Sequence, residues 1–279
     1  MSAASDIDSL PPLRDVIRAH DLRAEKKLGQ NFLLDLNLTA KIARGAGDLA
    51  GAAVFEIGPG PGGLTRGILN AGADQLTAIE FDPRAVAALQ DLQDAANGRL
   101  TVMQGDALDV DLLALAKGKP IAIVANLPYN IATPLLIGWL KQIHENPGAY
   151  RSMTLMFQKE VAQRIAAVPS TKEYGRLSIL SQWLCETRAL FDLPPSAFTP
   201  PPKVVSTVVH FVPKKIPADA PAFAAIEKLT AAAFGQRRKM IRGSMKDYLP
   251  VLESLGIDTT LRAENLTVEE FITIAKKIG

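Results

Sequence analysis

Glycines at positions 58, 60, 62 and 63 crowd the segment VFEIGPGPGGLT, between an apolar run of strand character and a helical pattern. Glycine lets a backbone turn with positive φ and come close to a ligand, which suits a loop that cradles a nucleoside or a phosphate. Gly58, Gly60 and Gly63 also meet the G-x-G-x-x-G spacing of dinucleotide-binding folds. The loop alone therefore specifies a nucleotide-like ligand and leaves a nicotinamide cofactor open. Glu80 closes the next apolar run, about 20 residues on, where a carboxylate accepts hydrogen bonds from both ribose hydroxyls. Asp106, followed by Ala107 in QGDAL, closes the third run and can accept from an adenine amino group. Acids at successive strand tips beside a glycine turn read as one adenosine site. Two features turn the choice toward S-adenosylmethionine. Glu56 stands just before the glycines, where it can meet the amino group of a methionine moiety, and Pro59 and Pro61 stiffen a loop that meets no pyrophosphate.

The fourth apolar run, IAIVA, leads into Asn126, Leu127, Pro128 and Tyr129. This NLPY turn resembles the [DNS]-P-P-Y motif of enzymes that methylate exocyclic amino groups of bases. The N6 lone pair of adenine is delocalised into the ring, so the amine is a poor nucleophile until acceptors hold its protons and draw the nitrogen toward tetrahedral geometry. Asn126 offers a side-chain carbonyl, Leu127 a main-chain carbonyl, and Pro128 keeps the turn rigid. Tyr129 adds a π-face on which an extruded base can stack. Methyl transfer from a sulfonium is an in-line displacement that needs positioning more than acid-base help, so no catalytic histidine is expected. His20, His144 and His210 fall outside every motif.

The elements that must hold these residues follow from the pattern between 52 and 168. Short apolar runs alternate with helical stretches, which predicts an α/β fold: a parallel sheet covered on both faces. CETRALFDL and VSTVVHFVP, separated by the turn-rich PPSAFTPPPKV, predict an antiparallel pair at one edge. VPKKIPADAP reads as a linker, and after Pro221 the pattern is helical to the end, through AFAAIEKLTAAAF, RRKMIRGSMKDYL and TVEEFITIAKKI. The expected organisation is a polar N-terminal extension over 1–22 with no chemistry assigned, a Rossmann-like domain over 23–213, and a small all-helical domain over 214–279.

Composition excludes several classes. At 279 residues, 48% hydrophobic and 22% charged, the chain is neither disordered, collagenous nor a disulfide scaffold. The lone Cys185 rules out a cysteine-rich zinc site, and no metal is expected. No apolar run is long enough for a bilayer, and MSAASDIDSLPPLRD is too polar for a signal peptide, so a cytosolic protein is expected. Without heptads or a long apolar edge, the expected state is a monomer. The net charge is only +2, yet residues 235–246 hold Arg237, Arg238, Lys239, Arg242 and Lys246 with no acid between them. Such a patch reads equally as a solvated helix face or as a nucleic-acid surface; in the second case it suits phosphates, fixing RNA without reading bases, with specificity left to RNA shape. FTPPPKV, with Phe198 and Lys203, suits a stiff wall for a stacked base, with a packed edge loop as the alternative.

Taken together, KKLGQNFL (26–33), EIGPGPGGLT (56–65), Glu80, GDAL (105–108), NLPYN (126–130), AFTPPPKVVSTVV (197–209) and FGQRRKMIRGSM (234–245) resemble the small-subunit (16S) ribosomal RNA adenine N6,N6-dimethyltransferase family, KsgA/RsmA. The resemblance implies a Rossmann-like S-adenosylmethionine-dependent methyltransferase sheet with a small C-terminal helical domain. It implies that Asn31 and Leu33 touch the methionine part of S-adenosylmethionine, with Gln30 nearby and Gly58 beneath. It implies further that Asn126 faces cofactor and target, that Phe198 closes on the base opposite Tyr129, and that two adjacent adenosines in a hairpin loop near the RNA 3′ end each receive two methyl groups. Val205 and Gly243 depart from the family pattern as polar and Asn positions, and both lie away from the acceptor turn. The related large-subunit rRNA dimethyltransferases share the cofactor motifs, and FGQRRK argues against them; a third reading is a ribosome assembly factor that acts mainly by binding.

Overall fold

Runs that are apolar without alternation, such as Ala53–Ile57 and Ile121–Ala125, belong to strands covered on both faces, and every residue of both is buried. The computed structural model describes residues 6–22 and 30–278; Lys26, Lys27, Leu28 and Gly29 of the KKLGQNFL stretch lie outside them.

The first elements are α1 (Leu13–Ala19), β1 (Phe32–Leu33), α2 (Leu36–Gly45), β2 (Ala53–Ile57) and α3 (Gly63–Asn70). Next come β3 (Leu76–Glu80), α4 (Pro83–Ala88), α5 (Gln90–Ala95), β4 (Leu100–Gln104), α6 (Leu112–Ala116) and β5 (Ile121–Ala125). The chain continues through α7 (Tyr129–Glu145), β6 (Tyr150–Gln158), α8 (Lys159–Ala166), α9 (Arg176–Leu184), β7 (Cys185–Leu193), β8 (Phe198–Thr199) and β9 (Ser206–Pro213). It ends in α10 (Phe223–Phe234), α11 (Ile241–Ser244), α12 (Leu249–Ser254) and α13 (Val268–Ile278).

Seven strands form one sheet in the order β4-β3-β2-β5-β6-β9-β7. Strands β4, β3, β2, β5 and β6 run parallel, and β9 joins β6 antiparallel, with Met156 opposite Val208. The expected edge pair is present as neighbours, with β7 outermost. Strand order reverses between β2 and β5, so a crevice opens at the carboxyl ends of these two strands. A separate two-stranded ribbon pairs β1 with β8, Phe32 opposite Thr199 and Leu33 opposite Phe198.

The chain divides into two units. The first comprises 1–136, 148–159 and 189–212. Its core runs from Val54 and Val124 on the central strands to Ile42, Ile68 and Leu89 on the covering helices. Helices α2 and α3 approach closely because Gly67 has no side chain: a Cβ there would sit 2.9 Å from the Thr39 carbonyl oxygen. The N-terminal residues are not the polar extension expected from sequence. Ile7 and Leu13 are 1% and 3% exposed, and Leu22 packs on Ala85 and Ala88. Arg66 on α3, itself buried, donates to the Pro11 carbonyl at 2.9 Å. Most polar residues of 8–22 face out while a few aliphatic side chains, spaced too irregularly to read as a stripe, anchor the segment.

The second unit gathers 137–147, 160–188 and 213–279. Helix α10 packs against α9 and α13, and Phe234 stacks on Phe271 at 5.9 Å. His144 lies 5.0 Å from the Trp183 ring and donates through Nε2 to the Pro221 carbonyl, which pins the segment leading into α10. The helix expected over RRKMIRGSMKDYL is largely absent. Residues 235–239 form a turn, Met240 makes a β-bridge with Arg262, and only Ile241–Ser244 is α-helical. Tertiary contacts override the local preference here: Arg237 is drawn aside to the carbonyls of Lys172 and Tyr174, at 2.7 and 2.9 Å.

Candidate active site

A cavity of about 270 Å³ occupies the crevice where the strand order reverses. Its floor is the glycine turn after β2. Gly58, Gly60 and Gly62 have φ of +68°, +54° and +87°, which a side chain would make costly. A Cβ on Gly60 would also lie 2.9 Å from the Phe32 ring, so this turn has room for main chain only. Gly62 begins α3, which points its free amide ends toward the turn.

Carboxylates come next, each delivered by the end of a strand. Glu56, the fourth residue of β2, is 1% exposed, and its Oε2 has no hydrogen-bond partner among the described residues. Burial pushes its pKa up to about 8; the Thr65 hydroxyl works against the rise and the charge of Glu80 adds to it. Glu80 ends β3 and is held from both sides: Oε2 accepts from the Gly60 amide at 3.1 Å and Oε1 from the Asp82 amide at 2.9 Å. Burial raises its pKa, and these backbone donors oppose the rise. Asp82 caps α4 and is bound by Arg84 at 2.7 Å, which holds its carboxyl below the usual range, with a further hydrogen bond from Gln30. Asp106, past the end of β4, accepts from the Leu108 amide at 2.9 Å and lines the cavity with Ala107.

The opposite wall is the NLPY turn after β5. Leu127 as a whole residue is 1% exposed within the turn. Pro128 accepts from the amides of Ile131 and Ala132 and so starts α7 within the turn. Tyr129 is oriented by a 2.6 Å hydrogen bond between its hydroxyl and Ser206 on β9. Asn126 donates through Nδ2 to the Asn31 carbonyl at 3.0 Å.

Of the residues singled out by sequence, Gln30, Asn31 and Leu33 line this cavity beside Glu56, Gly58 and Gly60. Glu80, Asp106 and Ala107 join them, as do Asn126, Leu127, Pro128 and Tyr129. Phe198 does not. It is 3% exposed and packed in the core behind Leu33, because β8 pairs with β1 and turns the ring inward; as placed, it offers no face to a base. Lys203 is exposed in the loop between β8 and β9. Arg238, Lys239, Arg242 and Lys246 are exposed cations of the second unit, whereas Arg237 is tied to Lys172, Tyr174 and Glu264. Sequence reasoning passed over three residues. Ser206 reaches Tyr129 across 77 positions, which no local pattern betrays. Phe32 roofs Gly60, and Phe81, 60% exposed beside Glu80, lines the cavity. The position next to an acidic strand tip could have revealed Phe81.

A nucleoside-sized cavity at a sheet switch point, walled on one side by the NLPY turn, places the molecule among the Rossmann-like methyltransferases. Comparison with known proteins narrows the class. The family described as Ribosomal RNA adenine dimethylase matches residues 21–279, and the chain belongs to that family. Curated relatives include the Ribosomal RNA small subunit methyltransferase A of Azorhizobium caulinodans, 54% identical over 99% of this chain and 95% of that protein. The protein of the same name from Ruegeria sp. is 56% identical over 98% and 99%. Among solved structures, a dimethyladenosine transferase from Plasmodium falciparum superposes with a TM-score of 0.73 at 25% identity, covering 86% of this chain and 94% of that one. The 23S rRNA methyltransferase ErmE gives 0.66 at 25% identity, covering 88% and 99%.

Proposed function

We propose that this chain uses S-adenosylmethionine to dimethylate N6 of adenosines in small-subunit ribosomal RNA, at two adjacent positions in a hairpin loop near the 3′ end. The observation that carries the reading is the convergence of the NLPY turn, the glycine turn and three strand-tip carboxylates on one cavity. The curated relatives near 55% identity bear a small-subunit name along essentially their whole length.

The residues present fit S-adenosylmethionine. Glu56 has a buried carboxylate oxygen without a partner among the described residues, which a ligand ammonium would satisfy. Glu80, held by the backbone amides of Gly60, Asp82 and Phe81, keeps lone pairs for ribose hydroxyls. Asp106 stands ready for the adenine amino group, and the Gly58–Gly60 turn, with positive φ at both glycines and a Cβ excluded at Gly60 by Phe32, offers main chain to the methionine portion. When bound, S-adenosylmethionine supplies a methyl group on a sulfonium. The chain's own work lies on the other side: Asn126 and the Leu127 carbonyl hold the N6 protons, Tyr129 stacks the base, and Ser206 keeps that ring from turning. The N6 lone pair so presented would take up the methyl group that the sulfonium supplies, leaving a neutral thioether, and the surplus N6 proton would pass to solvent. The exposed cations Arg238, Lys239, Arg242 and Lys246, with Lys203, contact phosphates, and the protein acts as a cytosolic monomer in ribosome biogenesis.

The test is methyl transfer to small subunits lacking the modification, followed by nucleoside analysis. The expected product is N6,N6-dimethyladenosine at two neighbouring sites of the small-subunit RNA. Label confined to large-subunit RNA, or no transfer at all, overturns the reading.

A further inference from the structure

The Asn126 side chain has two ends, and its surroundings decide which does what. Nδ2 donates to the main-chain carbonyl of Asn31 at 3.0 Å. A carbonyl only accepts, so turning the amide round would set two oxygens against each other. Oδ1 is thereby the end left for an incoming amine.

Asn31 is a firm anchor because the next two residues of the chain are buried and paired. Phe32 and Leu33 are 7% and 4% exposed and pair with Thr199 and Phe198. The Phe32 ring fills the space over Gly60, and the Leu33 carbonyl oxygen lies 2.5 Å from where a Cβ on Gly63 would stand. Strand β1 is therefore wedged against the glycine turn while the residue before it holds the acceptor turn.

We propose that the Asn31 carbonyl, fixed by the β1–β8 pair, is the positioning group of the acceptor turn: it orients the Asn126 amide so that Oδ1 receives the N6 proton. The inference rests on the methyl-transfer reading. It also gives the buried Phe198 a role that stacking does not: as the partner of Leu33, it helps to set where that carbonyl sits.

The variant Asn126→Asp separates orientation from acceptor strength. A carboxylate accepts better than an amide, so if acceptance alone mattered the variant would work at least as well as the wild type. If the Asn31 carbonyl positions the group, the second carboxylate oxygen meets that carbonyl and its pKa rises. The expected result is a kcat roughly tenfold below wild type at about pH 8, recovering toward wild type by about pH 6 as the protonated carboxyl donates to Asn31. Affinity for S-adenosylmethionine, read by calorimetry, should change less than about threefold. Glu56, Glu80, Asp106 and Tyr129 also face the cavity and can titrate, so the wild-type profile is measured alongside and the ratio is the readout. A ratio that does not vary with pH overturns the proposal. A second measurement, read on the wild type, is the side-chain amide spectrum of the 15N-labelled protein, assigned by loss of one signal pair in folded Asn126→Ser. One Asn126 amide hydrogen should exchange markedly more slowly than its twin; equal, rapid exchange overturns the proposal. Absence of methyl transfer by the wild type would instead sink the functional reading, and the amide spectrum would still judge the anchor.

Discussion

The cavity and the basic segment at 235–246 make opposite use of charge. In the cavity, Glu56 and Glu80 are buried near strand ends while Asp106 is half-buried, and two of the three are placed by backbone: Glu80 between the Gly60 and Asp82 amides, Asp106 against the Leu108 amide. In the basic segment the cations stand mostly in solvent, on a turn and a four-residue helix, and Arg237 is spent on holding two carbonyls. A charge that is buried and held by main chain is committed to one geometry, whereas an exposed cation on a short turn contributes field and adaptable contacts.

That contrast can be broken in several ways. Asn126→Ala should produce the largest loss, a kcat on the order of a hundredfold lower with cofactor affinity little changed, because the interaction it removes matters most in the transition state; single-turnover methyl transfer with parallel calorimetry checks it. Glu80→Ala should weaken S-adenosylmethionine binding roughly tenfold or more, since it removes the proposed ribose acceptor and frees the Gly60 amide; Glu80→Gln, keeping one carbonyl oxygen, should fall between. Unchanged calorimetric affinity in Glu80→Ala would take the ribose role away.

Glu56 gives a pH test with a defined sign. Its pKa is raised from 4.5 to about 8, so the folded protein holds a proton that the unfolded chain releases. This group's contribution is complete below about 4.5 and is lost as the pH climbs through about 8, so the melting temperature of the free protein should decline across that interval. Glu56→Gln should flatten the decline, and S-adenosylmethionine binding near neutral pH should release a proton from the wild type but not from the variant. Calorimetry in buffers of different ionisation enthalpy measures that proton; an identical count in both proteins would detach Glu56 from the ligand.

Smaller effects lie in the second unit. Arg237→Ala should cost about 1 kcal/mol of stability by leaving the Lys172 and Tyr174 carbonyls short of a donor. Arg238→Ala with Lys239→Ala should leave the melting curve alone, reduce RNA affinity a few-fold and flatten its salt dependence. If the double variant unfolds more readily than Arg237→Ala, the division between brace and free cations is wrong.

The parallel sheet and the cavity were legible in the sequence because both depend on local order. A short apolar run marks a strand, and the residues at or just past its end lie at the mouth of the crevice, so Glu80, Asp106 and Asn126 could be placed from position alone. What failed depends on partners far along the chain. FTPPPKV reads equally well as a wall or an edge, and only the pairing of Phe198 with Leu33 turns its ring inward. RRKMIRGSMKDYL has helical periodicity, yet Met240 is taken by a bridge to Arg262 and Arg237 by carbonyls 65 and 63 positions away. Ser206 and Phe32 were invisible for the same reason.

The family match begins at residue 21, and a chain trimmed there would look like a tidy domain. It would strip Ile7 and Leu13 from their sockets and leave the buried Arg66 guanidinium without the Pro11 oxygen. Vacated aliphatic sockets and a stranded cation each favour unfolding. The shortened polypeptide would show its defect first as clumping in the test tube, and a failed assay on it would say nothing about the enzyme.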